Sequence, residues 1–135
     1  MSDELSQKVE QLLVLVRAIR PTVRRVAVQD GELLKLIPTD RVVYATMNEE
    51  GNRLRVFRDD NQEFFNFSTV AELDQLLADD PRFMRVHKSF LVNMDFVTEI
   101  QTVAGGRELS FDAIPDLKIK VAQGNVKEVE SYFGL

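Results

Sequence analysis

The 135-residue sequence contains no cysteine and only one histidine. Without thiols there is no disulfide, no thiol nucleophile and no thiolate metal site. The lone imidazole, His87, cannot build a histidine metal centre without unusual help from carboxylates. Long hydrophobic runs are missing too: no apolar stretch approaches the ~18 residues that cross a bilayer. The opening residues, MSDELSQKVEQ, have neither the basic start nor the apolar block of a signal peptide. The cytoplasm is therefore the expected location. Positive charge is in short supply, with 17 Lys and Arg against 22 Asp and Glu, a net charge of −5. A surface drawn as a whole to nucleic acid is excluded by that balance. A nucleic-acid reader of this composition must gather its cations on one face.

Catalytic signatures are equally scarce. There is no G-x-G-x-x-G, no G-x-x-x-x-G-K-[ST], no H-E-x-x-H and no EF-hand loop. The acid pairs Asp59-Asp60 and Asp79-Asp80 fall in turn-like sequence and read as solvated turn residues. No serine has a histidine–acid pair signalled by sequence. Glycoside chemistry would need two acids across a cleft, which sequence does not locate. An enzyme is the least favoured class, and neither a cofactor nor a small-molecule substrate is expected.

What is present is a globular composition, 44% hydrophobic and 29% charged, with enough length for one domain and a proper core. Leu5, Val9, Leu12, Val16 and Ile19 recur at intervals of four and three. They form a heptad seam of the kind that pairs parallel helices. A helix over residues 1–20 follows, ended by Pro21, as a candidate dimerisation segment. Two and a half heptads are short for a free coiled coil, and Leu13 and Leu15 widen the apolar face. Packing of the helix on its own domain stays open beside dimerisation.

From residue 21 to 135 the pattern is a mainly β domain with helices. TVRRVAVQ and ELLKLIP flank Asp30-Gly31, a hairpin signal. RVVYATM, RLRVF and EFFNF follow, separated by the turns NEEGN and RDDNQ. Thr69 and Glu72 form a capping box for a helix with Val70, Leu73, Leu76 and Leu77 as its apolar stripe. FVTEIQTV, ELSFDAI and LKIKV are further strands, the first two joined at Gly105-Gly106. The tail GNVKEVESYFGL reads as a closing helix, with Asn125 as its cap and Val126, Val129 and Phe133 facing inward. No repeat or low-complexity tract appears, and the only boundary falls near Pro21.

RFMRVHKSFLVN breaks the strand rule. Its even positions, Met84, Val86, Phe90 and Val92, are apolar except for Lys88. The lysine fits if one strand ends near Val86 and the next begins near Phe90, which makes His87-Lys88-Ser89 a bend. There His87 and Ser89 are donors within reach of phosphate oxygens, and Lys88 suits a phosphate or a guanine edge. Arg82 and Arg85 add charge nearby. The plainer alternative is a snorkelling Lys88 and a satisfied interior His87. A second basic cluster, Arg17, Arg20, Arg24 and Arg25, reads as favourable charge at a helix C-terminus and an exposed strand edge.

The run Phe83, Arg85, His87, Lys88, Ser89, Phe90, Val92 and Asn93 matches F-x-R-x-H-[RK]-S-[YF]-x-V-N. In this the chain resembles the LytTR family of bacterial DNA-binding domains. The helix VAELDQLL before the motif and the tail IKVAQGNVKEVESYF extend the likeness from about Val23 to Phe133. The resemblance implies an elongated antiparallel β domain. It also implies duplex DNA as partner, gripped by loops that enter successive major grooves, often as the output end of two-component regulators. Three regions fall at those loops: Met47 to Arg53 with Asn52 and Arg53, the His87-Lys88-Ser89 bend, and Val121 to Asn125 with Gln123 and Asn125. Arg85 and Lys120 would add charge to the same face. The third loop departs from the family pattern: Ala122-Gln123-Gly124 stands where an arginine is usual. Gln123 still suits an adenine edge, and the start of the last helix suits a phosphate. Glu49 and Glu50 must point away from phosphates. The expected function is a transcriptional regulator that binds duplex DNA. The alternative is an interaction module that keeps the fold and has lost tight DNA binding.

Overall fold

The structure is a computed structural model, described here for residues 6–8 and 23–135. Residues 6–8 are helical. The rest of the expected N-terminal helix, with its heptad seam, Arg17 and Arg20, lies outside the described residues.

Ten strands and two helices follow in chain order. The strands are β1 (Arg25–Asp30), β2 (Leu33–Pro38), β3 (Val42–Met47), β4 (Leu54–Arg58) and β5 (Glu63–Asn66). After α1 (Val70–Leu76) come β6 (Phe83–His87), β7 (Phe90–Asn93), β8 (Glu99–Val103), β9 (Gly106–Ser110) and β10 (Lys118–Lys120). The chain closes with α2 (Val126–Tyr132). Seven strands form one sheet in the order β2-β1-β5-β4-β3-β7-β6, and β10-β9-β8 form a second. Every pairing is antiparallel. The mainly β domain with helices expected from sequence is what forms.

β3 is an inner strand, between β4 and β7, and is buried at every position but its last, so both faces of the sheet are covered there. Val26, Val28 and Ile37 of the first hairpin join Val70, Leu73 and Leu77 against Ala45, Leu54, Val56 and Leu91. Leu109, Phe111, Ile119 and Val129 cover Val43, Phe57, Val86 and Val92 in a second cluster. The first hairpin meets β5 through the single pair Gln29–Phe65, while the Thr39 N–H donates to the Arg24 carbonyl at 2.8 Å.

Several local expectations need correction. Asp30 stays in its strand opposite Leu33, so the first turn is Gly31-Glu32, one residue later than expected. Gly31 supplies the positive φ, 63°, that a two-residue hairpin of this kind needs at its first central position. Likewise Val103 pairs with Gly106, leaving Ala104-Gly105 as the turn, with Gly105 at φ 85°. Thr69 does cap α1, its hydroxyl oxygen accepting from the Glu72 N–H at 3.1 Å. Leu76, however, is 52% exposed and not part of the inward stripe.

Asp80 is the larger correction. It is 2% exposed, not a solvated turn residue. Its carboxylate accepts from Arg82 Nε at 3.0 Å and Nη2 at 2.7 Å. Arg82 also donates to Asp40 and to Thr39 Oγ1, and its pKa is raised by the carboxylate bonds, that with Asp80 first. Asn93 Nδ2 donates to the Thr39 and Val42 carbonyls, which ties the end of β7 to the start of β3. Asp59 and Asp60 are turn residues as expected, but they pair with Arg41 and Arg58.

Asp80→Ala should lower unfolding stability by about 2–3 kcal/mol, because it removes the buried carboxylate of a partly buried guanidinium and leaves it only Asp40 and Thr39. Denaturant titration reads this directly. Asp60 offers a pH test. The hydrogen bond from Arg58 holds its pKa at about 2, below the ordinary 3.8. A depressed carboxyl contributes stability above its unfolded pKa and loses it as pH falls through the folded value. Carboxyl NMR should therefore show a midpoint near 2 that moves most of the way back toward 3.8 in Arg58→Gln.

Candidate nucleic-acid interface

Strand register brings the loops singled out by sequence to one edge. Met47, at the end of β3, pairs with Leu54 at the start of β4, which places residues 48–53 at that edge. Thr46 pairs with Phe90 on β7, and Phe90 pairs with His87 on β6. The tip of the β6–β7 hairpin therefore lies beside the first loop. Thr46 Oγ1 donates to the Ser89 carbonyl at 2.7 Å and fastens the two together.

The tip is a two-residue turn, Lys88-Ser89, preceded by a break in register. Arg85 pairs with Leu91, but His87 pairs with Phe90, so Val86 is the extra residue of a β-bulge. Val86 points inward and is fully buried; Lys88 is exposed. The bend is thus as expected, although β6 continues one residue further, to His87. Lys88 does not snorkel from the core. Arg85 Nη2 donates to the Lys88 carbonyl at 2.7 Å and braces the turn. The Ser89 N–H donates to His87 Nδ1 at 3.1 Å. A neutral His87 making this bond carries its proton on Nε2, where it is a donor.

The bulge also anchors the third loop. The Val86 carbonyl accepts from the Ala122 N–H at 2.9 Å, and the Arg85 carbonyl accepts from Asn125 Nδ2 at 3.1 Å. Asn125 occupies the N-cap position of α2 but makes no side-chain cap bond; its Nδ2 binds the Arg85 carbonyl. A 3-10 turn, Gln123–Asn125, leads into the helix instead. Gln123 is exposed, and its Nε2 donates to the Gly105 carbonyl at 3.1 Å. Lys120 is exposed on β10, opposite Glu108 on β9.

In the first loop one side chain that sequence reasoning missed does the organising. Asn48 Oδ1 accepts from the N–H groups of Asn52 and Arg53, and its Nδ2 donates to Asn52 Oδ1 and Glu50 Oε2. An asparagine opening a polar turn was the available signal. Glu50 is thereby turned toward Asn48. Arg53 is exposed, its guanidinium 5.8 Å from the Phe65 ring centroid and 5.6 Å from that of Phe67. Beside it lies an open depression of about 480 Å³, lined among others by Glu49, Glu63 and Arg55.

Ion pairing divides the basic residues. Arg41, Arg55, Arg58, Arg82 and Arg107 each face a carboxylate within 4 Å. Among the described residues, Arg53, Arg85, Lys88 and Lys120 have no such partner, and neither have Arg24, Arg25, Lys35, Lys118 and Lys127. Arg82, expected to add charge at the bend, is consumed by Asp80 and Asp40. Arg24 and Arg25 are exposed, but not on the expected strand edge: β1 lies inside the sheet, between β2 and β5. The described residues hold no cluster of three or more metal-ligating side chains, and no helix among them is long and apolar enough to cross a membrane.

This is the architecture of a β-sheet DNA-binding domain, and comparison with known proteins agrees. The model of the LytTr DNA-binding domain family matches residues 32–134. The chain belongs to that family. A solved LytTr DNA-binding domain from Bacillus cereus superposes with a TM-score of 0.71 at 19% identity, covering 84% of this chain and 99% of that one. No curated protein matches the sequence.

Asn125→Ala should cost about 1 kcal/mol, the scale of one hydrogen bond to a partly buried carbonyl. Hydrogen exchange at the Ala122 amide should quicken more than exchange in β3. Equal protection in variant and parent would mean that Asn125 does not secure the loop.

Proposed function

We propose that the chain is a bacterial transcriptional regulator that binds duplex DNA with the edge formed by its three loops. The observation that carries this reading is the exposed Lys88, at the tip of a two-residue turn braced by Arg85, with no ion-pair partner among the described residues. Cations that are not already neutralised are the ones that release counterions from DNA on contact. Asn52, Arg53, Lys88 and Ser89 serve as groove contacts, while His87 donates through Nε2. Arg85 works from behind, holding the turn. Gln123, Asn125 and Lys120 complete the edge. Because Gln123 and Asn125 also tether their loop, its contribution is to phosphates and shape more than to a guanine.

The alternative of an interaction module gains if acidic side chains are interleaved with these cations, and two are: Glu108 lies opposite Lys120, and Glu49 is exposed in the loop of Arg53. Two of the three carboxylates beside Arg53 are nevertheless directed elsewhere, Glu50 to Asn48 and Glu63 to Arg55. That favours DNA. The heptad spacing of residues 5–19 supports a further element of the proposal: two copies joined through this segment, so that two modest modules share one operator and gain avidity.

Selection of bound fragments from random duplexes with the full chain is the test. A recurrent motif is expected; recovery of unenriched sequence at every salt concentration would end the proposal. On the selected duplex, Lys88→Ala should reduce the slope of log K against log salt by about 0.9 for each phosphate that the lysine neutralises. An unchanged slope means that Lys88 touches no phosphate. Sedimentation of the full chain against one lacking residues 1–20 tests the pairing: the same monomer mass for both would rule it out.

A further inference from the structure

Phe67 is, with Leu33, one of the two most exposed large hydrophobic residues among those described, and the only aromatic one of the pair. It follows β5 directly, is 72% exposed, and belongs to neither core cluster. A phenyl ring left in water at the edge of a sheet does nothing for stability. Its neighbour of consequence is Arg53, whose guanidinium lies 5.6 Å from its centroid and 5.8 Å from that of Phe65. Carboxylates are at hand: Glu49, Glu50 and Glu63 line the same depression as Arg53. The arginine nonetheless lies over two rings and pairs with none of them among the described residues.

The three carboxylates are dealt with separately. Glu63 is held by Arg55 at 2.6 Å, and Glu50 by Asn48 at 2.8 Å; Glu49 is exposed. The chemistry matters for what Arg53 can then do. An arginine in an ion pair must break it to meet another acceptor. An arginine stacked on a ring keeps its five N–H donors in the plane of the guanidinium, away from the ring face. A side chain held against two rings before any partner arrives loses less entropy per hydrogen bond formed than one free to sample its rotamers. At the backbone, the Arg53 N–H is fixed by Asn48 Oδ1 at 3.2 Å. Base and tip of the side chain are thus both restrained.

We propose that Phe67 is a positioning residue for Arg53: together with Phe65 it holds the guanidinium flat and unpaired, so that its fork reads one guanine edge in the duplex. Phe65 is half-buried and paired in register with both Arg55 and Gln29, so it has a structural role as well. Phe67 has none, which makes it the clean probe. The inference rests on the DNA-binding reading, and its test separates the two.

The full chain is measured on the selected duplex and on versions with each base pair replaced in turn. Phe67→Leu should lose about threefold to fivefold in discrimination at one base pair, the scale of an exposed cation–ring contact. That base pair should be the one at which Arg53→Ala loses most. The salt slope should stay as in the parent, since every phosphate interaction is kept. Phe67→Tyr, which keeps the ring, should restore discrimination. The double variant Phe67→Leu with Arg53→Ala should behave as Arg53→Ala alone. Unchanged discrimination in Phe67→Leu, or a uniform loss at every position, overturns the inference. A second readout needs no DNA. The Arg53 side-chain protons should show a ring-current shift by NMR that Phe67→Leu reduces and Phe67→Tyr keeps. If the parent binds no duplex, the proposed function fails; if the shift is the same in parent and Phe67→Leu, the positioning role alone fails.

Discussion

The candidate interface depends on one extra residue in β6. Side chains of a strand alternate, so an uninterrupted run would put Lys88 on the same face as Val86, in the core. The bulge at Val86 resets the alternation. Val86 keeps its buried site, and the lysine two residues on turns out to solvent. The same irregularity presents the carbonyls of Arg85 and Val86 to the third loop, where Asn125 and the Ala122 amide meet them. A backbone carbonyl that finds no partner is costly, so the bulge and the loop stabilise each other. One local departure from the ladder thus exposes the cation and attaches a neighbouring segment to it.

Charge is organised by pairing more than by number. A net charge of −5 does not preclude an edge with unpaired cations, because some of the acids are already paired with arginines. Asp59 and Asp60 answer Arg41 and Arg58, and Glu63 answers Arg55. Such exposed pairs add little to stability. Their consequence is electrostatic: they remove carboxylates from the competition for Arg53 and Lys88. Asp80 differs, since it is buried and satisfied at several points by the side chain and backbone amide of Arg82. It secures the turn that launches β6.

The family motif is mostly scaffold. Phe83 and Val92 are core residues, and Asn93 is a buried tie between β7 and β3. Arg85 braces the turn and His87 accepts from it. Lys88 alone of that run is fully turned to solvent. A motif can therefore be matched in full while the groups that choose a DNA sequence vary around it. The third loop illustrates this, with Gln123 tethering it to Gly105 where the family usually has arginine.

Local chemistry made much of the architecture legible in the sequence. Alternating apolar residues marked the strands, glycines the hairpins, and Thr69 the start of α1, because each signal acts within a few residues. The same locality explains the near misses. Asp30-Gly31 located the first hairpin, but only the pairing of Asp30 with Leu33 set its turn one residue later. Leu76 fits a helical stripe, yet what covers that stripe is decided by the distant strands beneath it. The bend at Lys88 could be read from its neighbours; the partners of Arg82, Asn125, Asp80 and Arg53 could not. Those partners are Asp40 and Asp80 for Arg82, the Arg85 carbonyl for Asn125 and the Phe67 ring for Arg53. Sequence by itself determined which segments form strands, where the chain turns to within a residue, and which family it resembles. Only the tertiary structure decided which charges are neutralised and which face the solvent, because a charge finds its partner across space and not along the chain.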